Sequence, residues 1–505
     1  MTPQDQLDKI RACWLGKCLA GAIGAPWEGV PFPLDVGEKD IALSDVPNDD
    51  LELQLVWLDA VRRKGTALTA RDLGDTWLER IPHGCDEYSI ALHNLAHGVA
   101  APASGWRDNF FHDGMGATIR SEIWALLFPD RPDAAAHFAQ QDAEVDHWGD
   151  GVRGEIYMAM AEAHVLSHSD IHAALRFAFD ALPEDCRLRR ELSHVFNAYD
   201  DGVPDAVARD ALLLGIQRTS NFTDCVMNLC FITHALLRGG GDFLKTVFSA
   251  VSLGRDTDCT AASCGAFLGA ALGMGVFPER WRDAMGERLV LSDFVRAIPG
   301  VPLTLDELVG QTAELRETLA AQLPDEPYPP YLPYMPTGDE PVIDPSSWLI
   351  LREGEPEASD LASLEAELRG TGRLPPWLRG HVASFNTLFP DISRFAKGAR
   401  TLHLFSFLQV PQGTIDPDSV TLSATADVGI RLWMDGRKLL DQHSRQRMLP
   451  SFHRPEGGAA FSLPLAPGSR HLFHVALPWA MAPLRFCLMF GNARFDHLDG
   501  YRFSI

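Results

Sequence analysis

The sequence predicts a multidomain α and β protein. An all-α domain over residues 1–322 leads into a proline-rich linker over 323–347, then an antiparallel, jelly-roll-like β-sandwich over 348–505. Three observations carry this reading. Up to residue 322, apolar residues recur at helical spacing between short breaks, with no alternating runs. Pro327, Pro329, Pro330, Pro333, Pro336, Pro341 and Pro345 then crowd into one stretch, a density that no helix or sheet interior tolerates. Beyond them the pattern changes to short strand-like runs separated by Gly, Pro and Asp.

Taken in order, the stretch around Arg11–Ala20 reads as a helix that gives way to the turn Gly24-Ala25-Pro26. Leu51–Arg63 places Leu51, Leu55, Leu58 and Val61 on one helix face. Asp133–Gln141, Glu155–Leu166, His172–Ala181, Asp205–Ile216, Val226–Leu237 and Phe243–Leu253 repeat that pattern. The run Cys259–Val276 is rich in Gly, Ala, Ser and Cys rather than Leu and Phe, which marks a tightly packed core helix and not a membrane span. After the linker come Thr401–Val410, Val420–Ala426, Ile430–Met434, Ala459–Leu465, Leu472–Leu477 and Leu484–Phe490. Asp435-Gly436 between two of these pieces is a two-residue hairpin signal. The segment Ala424–Lys438 resembles the hairpin of jelly-roll accessory modules attached to carbohydrate-active enzymes.

The chain has 505 residues, 46% of them hydrophobic, and a formal charge of −24. That charge excludes nucleic acid and anionic membrane as partners, since neither offers it a favourable field. The N-terminus has no basic region before its first apolar stretch, so a cytoplasmic protein without a secretory signal is expected. Nine cysteines, an odd number with no C-x-x-C, fit reduced thiols better than disulfides or a zinc cluster.

Chemistry concentrates in two acidic runs, Asn48-Asp49-Asp50 and Asp256-Thr257-Asp258, each introducing a buried helix. Neighbouring carboxylates repel, so burying these aspartates together is costly unless a cation compensates. Oxygen donors select hard ions, which points to Mg²⁺ or Mn²⁺, two ions in one site. Helix N-terminal capping alone accounts for one such aspartate, not for both runs. Glu28 follows the glycine-rich exit Gly21-Ala-Ile-Gly-Ala-Pro-Trp, a position from which a carboxylate can point into a cleft.

The segments Gly21–Glu28, Asn48-Asp49-Asp50, Gly116-Ala-Thr-Ile-Arg120 and Gly254-Arg-Asp256-Thr-Asp258-Cys-Thr-Ala-Ala262 stand in the order found in the ADP-ribosylglycohydrolase family. Asp142 and His147 also fall at an acidic and a histidine position of that family, which the chain resembles from Arg11 to about Gly275. The family includes the glycohydrolase that activates dinitrogenase reductase, and crystallin-like relatives. The resemblance implies an all-α domain with two Mg²⁺ or Mn²⁺ ions that bind ribose hydroxyls and polarise a water. It assigns metal positions to Asn48, Asp49, Asp50, Asp256, Asp258 and Cys259, and a general acid/base role to Glu28. Asp50 or Asp258 would bridge the ions, and both would share in catalysis. The chain departs from the family where a Thr-Asp-Asp-Thr becomes Asn48-Asp49-Asp50-Leu51. It departs again where the threonine after the second acidic pair is Cys259, a poor partner for Mg²⁺.

Gly116, Arg120, His147 and Trp148 are the expected substrate contacts, with Arg120 reaching a phosphate or pairing with Glu122, and Trp148 stacking or packing at a cleft rim. His93/His97 and His164/His168 are i, i+4 pairs able to share a metal on a helix face, though neither sits in His-Glu-x-x-His. Gly239-Gly240-Gly241 lacks the Lys-Ser/Thr of a phosphate loop and reads as a helix end. The expected partner is a small ribosyl substrate or an ADP-ribosylated protein. The alternatives are a hydrolase of a small nucleoside or sugar conjugate, and a non-catalytic ADP-ribose-binding or structural member.

Overall fold

A computed structural model describes residues 2–505 apart from 31–33, 44–46, 217–220, 294, 296–297, 414–419, 443–447, 455–458 and 479–482. Packing divides the chain into two units: Met1–Pro82 with Ala100–Pro336, and His83–Val99 with Thr337–Ile505.

The first unit is helical. Pro3–Gly24 starts at a capping box in which the Thr2 hydroxyl accepts from the Asp5 amide, and it ends where Ala25-Pro26-Trp27 tightens into a 3₁₀ turn. Asp49–Lys64, Pro132–Ala143, Asp150–His168, Ile171–Ala181, Asp205–Ile216, Cys225–Gly239 and Phe243–Ser252 follow the apolar periodicity. Ala70–Arg80, Arg187–Asp200 and Leu305–Ala320 are helices that the periodicity did not single out. Gly240 takes up a left-handed conformation and closes the helix Cys225–Gly239, as the glycine run implies.

The centre of this unit is the pairing of Pro3–Gly24 with Thr257–Leu272, both buried on nearly all sides over most of their length. Glycines permit it. A Cβ at Gly16 would meet the Gly265 carbonyl oxygen at 2.1 Å, and one at Gly24 would meet that of Thr257 at the same distance. The small-residue composition of Cys259–Val276 is thus the contact surface of a core helix. Among the described residues no helix is long and apolar enough to cross a membrane.

The second unit is built on two antiparallel sheets. One runs Val382–Phe385, Ser346–Arg352, Thr401–Gln409, Arg470–Pro478, Ile430–Met434 and Arg437–Gln442, with Arg502–Ser504 also paired to Thr401–Gln409. The other runs Ala459–Ser462, Thr421–Ala426 and Phe486–Gly491. Leu402, Leu404 and Leu408 of the first sheet share a core with Leu422, Phe486 and Phe490 of the second, which makes a sandwich. The alternate residues Phe405 and Phe407 face outward onto Leu364 and Leu368 of the helix Leu361–Thr371. Asp435 and Gly436 both have positive φ (52° and 82°) and join Met434 to Arg437 as the hairpin. The helix Asp86–Ala96 groups with this unit.

Candidate active site

Two helix N-termini of the first unit deliver the acidic runs to one place. Asn48 caps the helix Asp49–Lys64, and its side-chain amide lies against Gly21, where a Cβ would come within 3.0 Å of Nδ2. Asp256 caps Thr257–Leu272 after a turn in which Gly254 and Arg255 both have positive φ (70° and 73°). For Arg255 that conformation costs about 1–3 kcal/mol. Two backbone bonds hold it: the Gly29 amide donates to the Arg255 carbonyl at 2.7 Å, and the Arg255 amide to that of Val30 at 2.9 Å. The Thr257 hydroxyl donates to the Gly24 carbonyl at 2.9 Å. Glu28, exposed at the end of the 3₁₀ turn, is therefore tied to the loop that carries Asp256.

Cys259 links the two runs directly. Its thiol donates to Asp50 Oδ1 at 3.6 Å, while donor atoms of Asp256, Asp258 and Cys259 lie within 4.8 Å of one another. A cleft lined by Gly21, Asn48, Asp49, Leu51, Asp258 and Arg288 opens beside them.

The electrostatics are those of anions short of a cation. The protein around it first, and then Asp50, push Asp49 up to about 6, although the residue is exposed at the cleft. Burial pushes Asp256 up to about 7, with Glu28 and Asp50 adding to the rise and Cys259 opposing it. Asp258 lies well above the carboxylate range through burial and the fields of Asp256, Glu28, Asp50 and Asp49. Asp50 is raised by burial despite Lys17. Burial and the same aspartates hold the Cys259 thiol protonated, as a donor and not a thiolate. Among the described residues Asp256 Oδ2 and Asp258 Oδ1 are buried with no hydrogen-bond partner, while Asp50 Oδ2 faces Lys17 Nζ at 3.5 Å. Orphaned carboxylate oxygens at one helix N-terminus, with Asp50 of the other joined to them through Cys259, fit a hard divalent cation.

Lys17 is a member of the site that no acidic run or helical spacing marks. It is fully buried, with Nζ 2.8 Å from Glu122 Oε1 and 3.5 Å from Asp50 Oδ2. Gln54 extends the network, its Nε2 donating at 2.8 Å both to Glu122 Oε2 and to the Asp50 carbonyl. A single lysine inside the apolar run Cys13-Trp-Leu-Gly-Lys17-Cys-Leu-Ala20 was the available signal.

The expected substrate contacts lie largely inside the helical unit. Arg120 is fully buried and does not pair with Glu122, which Lys17 has taken. Its Nε donates to Asp142 Oδ1 at 2.9 Å, and Nη1 and Nη2 form a fork on Asp146 at 3.0 and 2.6 Å. Nη1 also donates to the Gly116 carbonyl at 2.8 Å, so Gly116 serves this buried fork. His147 is fully buried rather than at a rim, with Nδ1 3.0 Å from Asp146 Oδ1. Trp148 is half-buried; its Nε1 donates to the Tyr334 carbonyl at 2.9 Å and its ring packs edge-on to His112. Asp142 belongs to the Arg120 network and also accepts from Trp124 Nε1 at 3.1 Å.

Comparison with known proteins bears on these residues. A model of the ADP-ribosylglycohydrolase family matches residues 2–314, which contain both acidic runs and Glu28. The solved structure of an ADP-ribosylglycohydrolase-related protein complex shares 20% identity and covers 63% of this chain and 99% of its own, with a TM-score of 0.42. A β-glucosidase from Kluyveromyces marxianus in complex with glucose shares 12% identity over 29% of this chain and 15% of its own, with a TM-score of 0.19. A GH31 α-xylosidase from Xanthomonas citri shares 15% identity over 24% of this chain and 14% of its own, at 0.16. A search among curated proteins finds no match. The family match spans well over half of the chain, and the chain belongs to the ADP-ribosylglycohydrolase family.

Proposed function

We propose that this protein hydrolyses an N- or O-ribosyl bond of the ADP-ribosyl type with two Mg²⁺ or Mn²⁺ ions held by Asn48, Asp49, Asp50, Asp256 and Asp258. Family membership supports glycosidic hydrolysis as the chemistry. The observation that carries the metal reading is the pair of orphaned oxygens on Asp256 and Asp258, with Asp50 of a second helix N-terminus beside them. Bound there, divalent cations would polarise ribose hydroxyls and a water. Asp50 and Asp258 would be among the carboxylates that hold the ions. The Cys259 thiol and Lys17 hold Asp50 from two sides, so its carboxylate is positioned before substrate arrives. Glu28, exposed beside Asp256, donates a proton to the leaving atom and takes one back from the attacking water.

The test is turnover after chelator stripping, with Mg²⁺ or Mn²⁺ restored, on ADP-ribosyl-arginine, ADP-ribosyl-serine, O-acetyl-ADP-ribose and simple ribosides. Metal-dependent release of ADP-ribose is the expected result. Release that persists unchanged in the stripped protein overturns the metal assignment. Cleavage confined to simple ribosides overturns the ADP-ribosyl substrate and keeps the site.

A further inference from the structure

The second unit holds a cluster of ionisable groups that the glycohydrolase chemistry does not use. His93 projects from the helix Asp86–Ala96 and is buried. Its Nε2 lies 2.9 Å from Asp344 Oδ2, and its Nδ1 pairs with Asp499 Oδ1. The His497 ring packs edge-on to His93 with centroids 4.5 Å apart. A 2.6 Å bond from the His497 amide to the Ser89 hydroxyl holds the His497 backbone on the same helix. Donor atoms of His93, Asp344 and His497 lie within 4.8 Å of one another. Their segments are far apart in sequence, yet all belong to this unit.

An ion triplet, with His93 charged between Asp344 and Asp499, accounts for part of the arrangement. It gives no role to His497, whose Nδ1 is buried with no hydrogen-bond partner among the described residues. A buried ring nitrogen aimed at no partner is a costly feature unless something fills the gap. The carboxylate contact on His93 Nδ1 matches a familiar support for a metal-bound imidazole. The Nδ1 proton is held by Asp499, which fixes the tautomer and leaves the Nε2 lone pair for a metal.

We propose that His93, Asp344 and His497 form a transition-metal site, with Asp499 orienting His93, and that Zn²⁺ is the ion of best fit. Two imidazole nitrogens and one carboxylate oxygen form a borderline donor set that selects Zn²⁺ over Mg²⁺ or Ca²⁺. Binding replaces the proton between His93 Nε2 and Asp344, which leaves to solvent. Three protein donors leave a fourth position, and the same residues line a cavity together with Tyr501 and Trp348. The ion would join the helix Asp86–Ala96 to the loop at Asp344 and to the C-terminal segment at His497, segments far apart in sequence.

Full-length protein, stripped with chelator and held in excess Mg²⁺, is titrated with Zn²⁺ by calorimetry. Wild type is expected to bind one equivalent more than His497→Phe, which keeps a ring against His93 and leaves both carboxylate bonds of His93 in place. His164→Phe, at the other i, i+4 pair, should match wild type. Co²⁺ in place of Zn²⁺ should give visible absorption bands in wild type that are lost in His497→Phe. If His497→Phe fails to fold, His497→Ala replaces it in both measurements. Equal Zn²⁺ uptake and identical Co²⁺ spectra in wild type and variant would show that the cluster is an ion triplet and overturn the site.

Discussion

At the start of the helix Thr257–Leu272, Asp256 and Asp258 stand near Asp49 and Asp50, with Lys17 behind Asp50. In the β unit, Asp344 and Asp499 each face a ring nitrogen of His93 instead. The first cluster carries more carboxylates than cations, and orphaned oxygens remain on Asp256 and Asp258. The second is matched, carboxylate against imidazole, and its unsatisfied atom is a nitrogen of His497. The contrast teaches how donor chemistry records the kind of cation a site is built for. Surplus buried negative charge calls for a hard divalent ion, whereas a near-neutral set with a spare nitrogen calls for a softer one.

The largest expected effect separates the two clusters functionally. Asp256→Asn combined with Asp258→Asn should lower Mg²⁺- or Mn²⁺-dependent turnover on the order of 10²–10³-fold or more, because the groups that hold transition-state electrostatics are gone. Zinc uptake at His93 and His497 should be unchanged in that variant by the same calorimetry. Loss of both activities together would mean that the clusters are not independent.

Next in size is Lys17→Met. Lys17 is fully buried between Asp50 and Glu122, so removing it leaves two carboxylates without their cation. A loss of about 3–5 kcal/mol in the metal-free protein is expected from a broken buried pair. Urea unfolding of the stripped protein measures it. Added Mg²⁺ should recover part of the loss, since the ion offers Asp50 another positive partner; a deficit identical with and without Mg²⁺ would detach Lys17 from the metal site.

A pH series comes third. Asp256, lifted to about 7, and Asp49, lifted to about 6, bind protons more tightly folded than unfolded. Their contribution to metal-free stability is therefore full below the ordinary 3.8 and is lost as pH rises through 6 and 7. A metal reverses the trend, because it binds the deprotonated carboxylates. The gap between melting midpoints with and without Mg²⁺ should be small near pH 5 and reach its full size above pH 7. A gap that is flat across this range would remove these aspartates from the ligand set.

These clusters also mark what the sequence made legible. Asp49, Asp50, Asp256 and Asp258 stood out because each pair is local, and the helices behind them follow the 3.6-residue period. The spacing of His93 and His97 was equally visible, but its partners Asp344, His497 and Asp499 lie hundreds of residues away and only folding brings them together. Arg120 was read against its near neighbour Glu122; in the fold Glu122 meets Lys17 and Arg120 meets Asp142 and Asp146. The strand Ser346–Arg352 escaped notice for a related reason. Trp348, Leu349, Ile350 and Leu351 are all buried, since the sandwich core covers one face and the helix Leu361–Thr371 the other, and a doubly buried strand does not alternate.

The smallest effect tests the chain's departure from its family at Cys259. The thiol is protonated and donates to Asp50, a task that a hydroxyl performs as well or better, while a hydroxyl oxygen also suits a hard ion. Cys259→Thr should therefore fold normally and tighten Mg²⁺ binding by a factor within roughly 10-fold, the lower end of what ligand-supporting groups contribute. It should also weaken competition from Cd²⁺ at this cluster, because the sulfur that a soft ion prefers is gone. Calorimetric titration of Mg²⁺ and Cd²⁺ into both proteins reads the two changes. If Mg²⁺ affinity falls instead, the added methyl group disturbs the packing against Asp50 more than the oxygen helps. Cys259 would then be a steric choice that belongs with the glycines packing this helix against Pro3–Gly24, and the contrast between the hard and the borderline cluster would rest on the carboxylates alone.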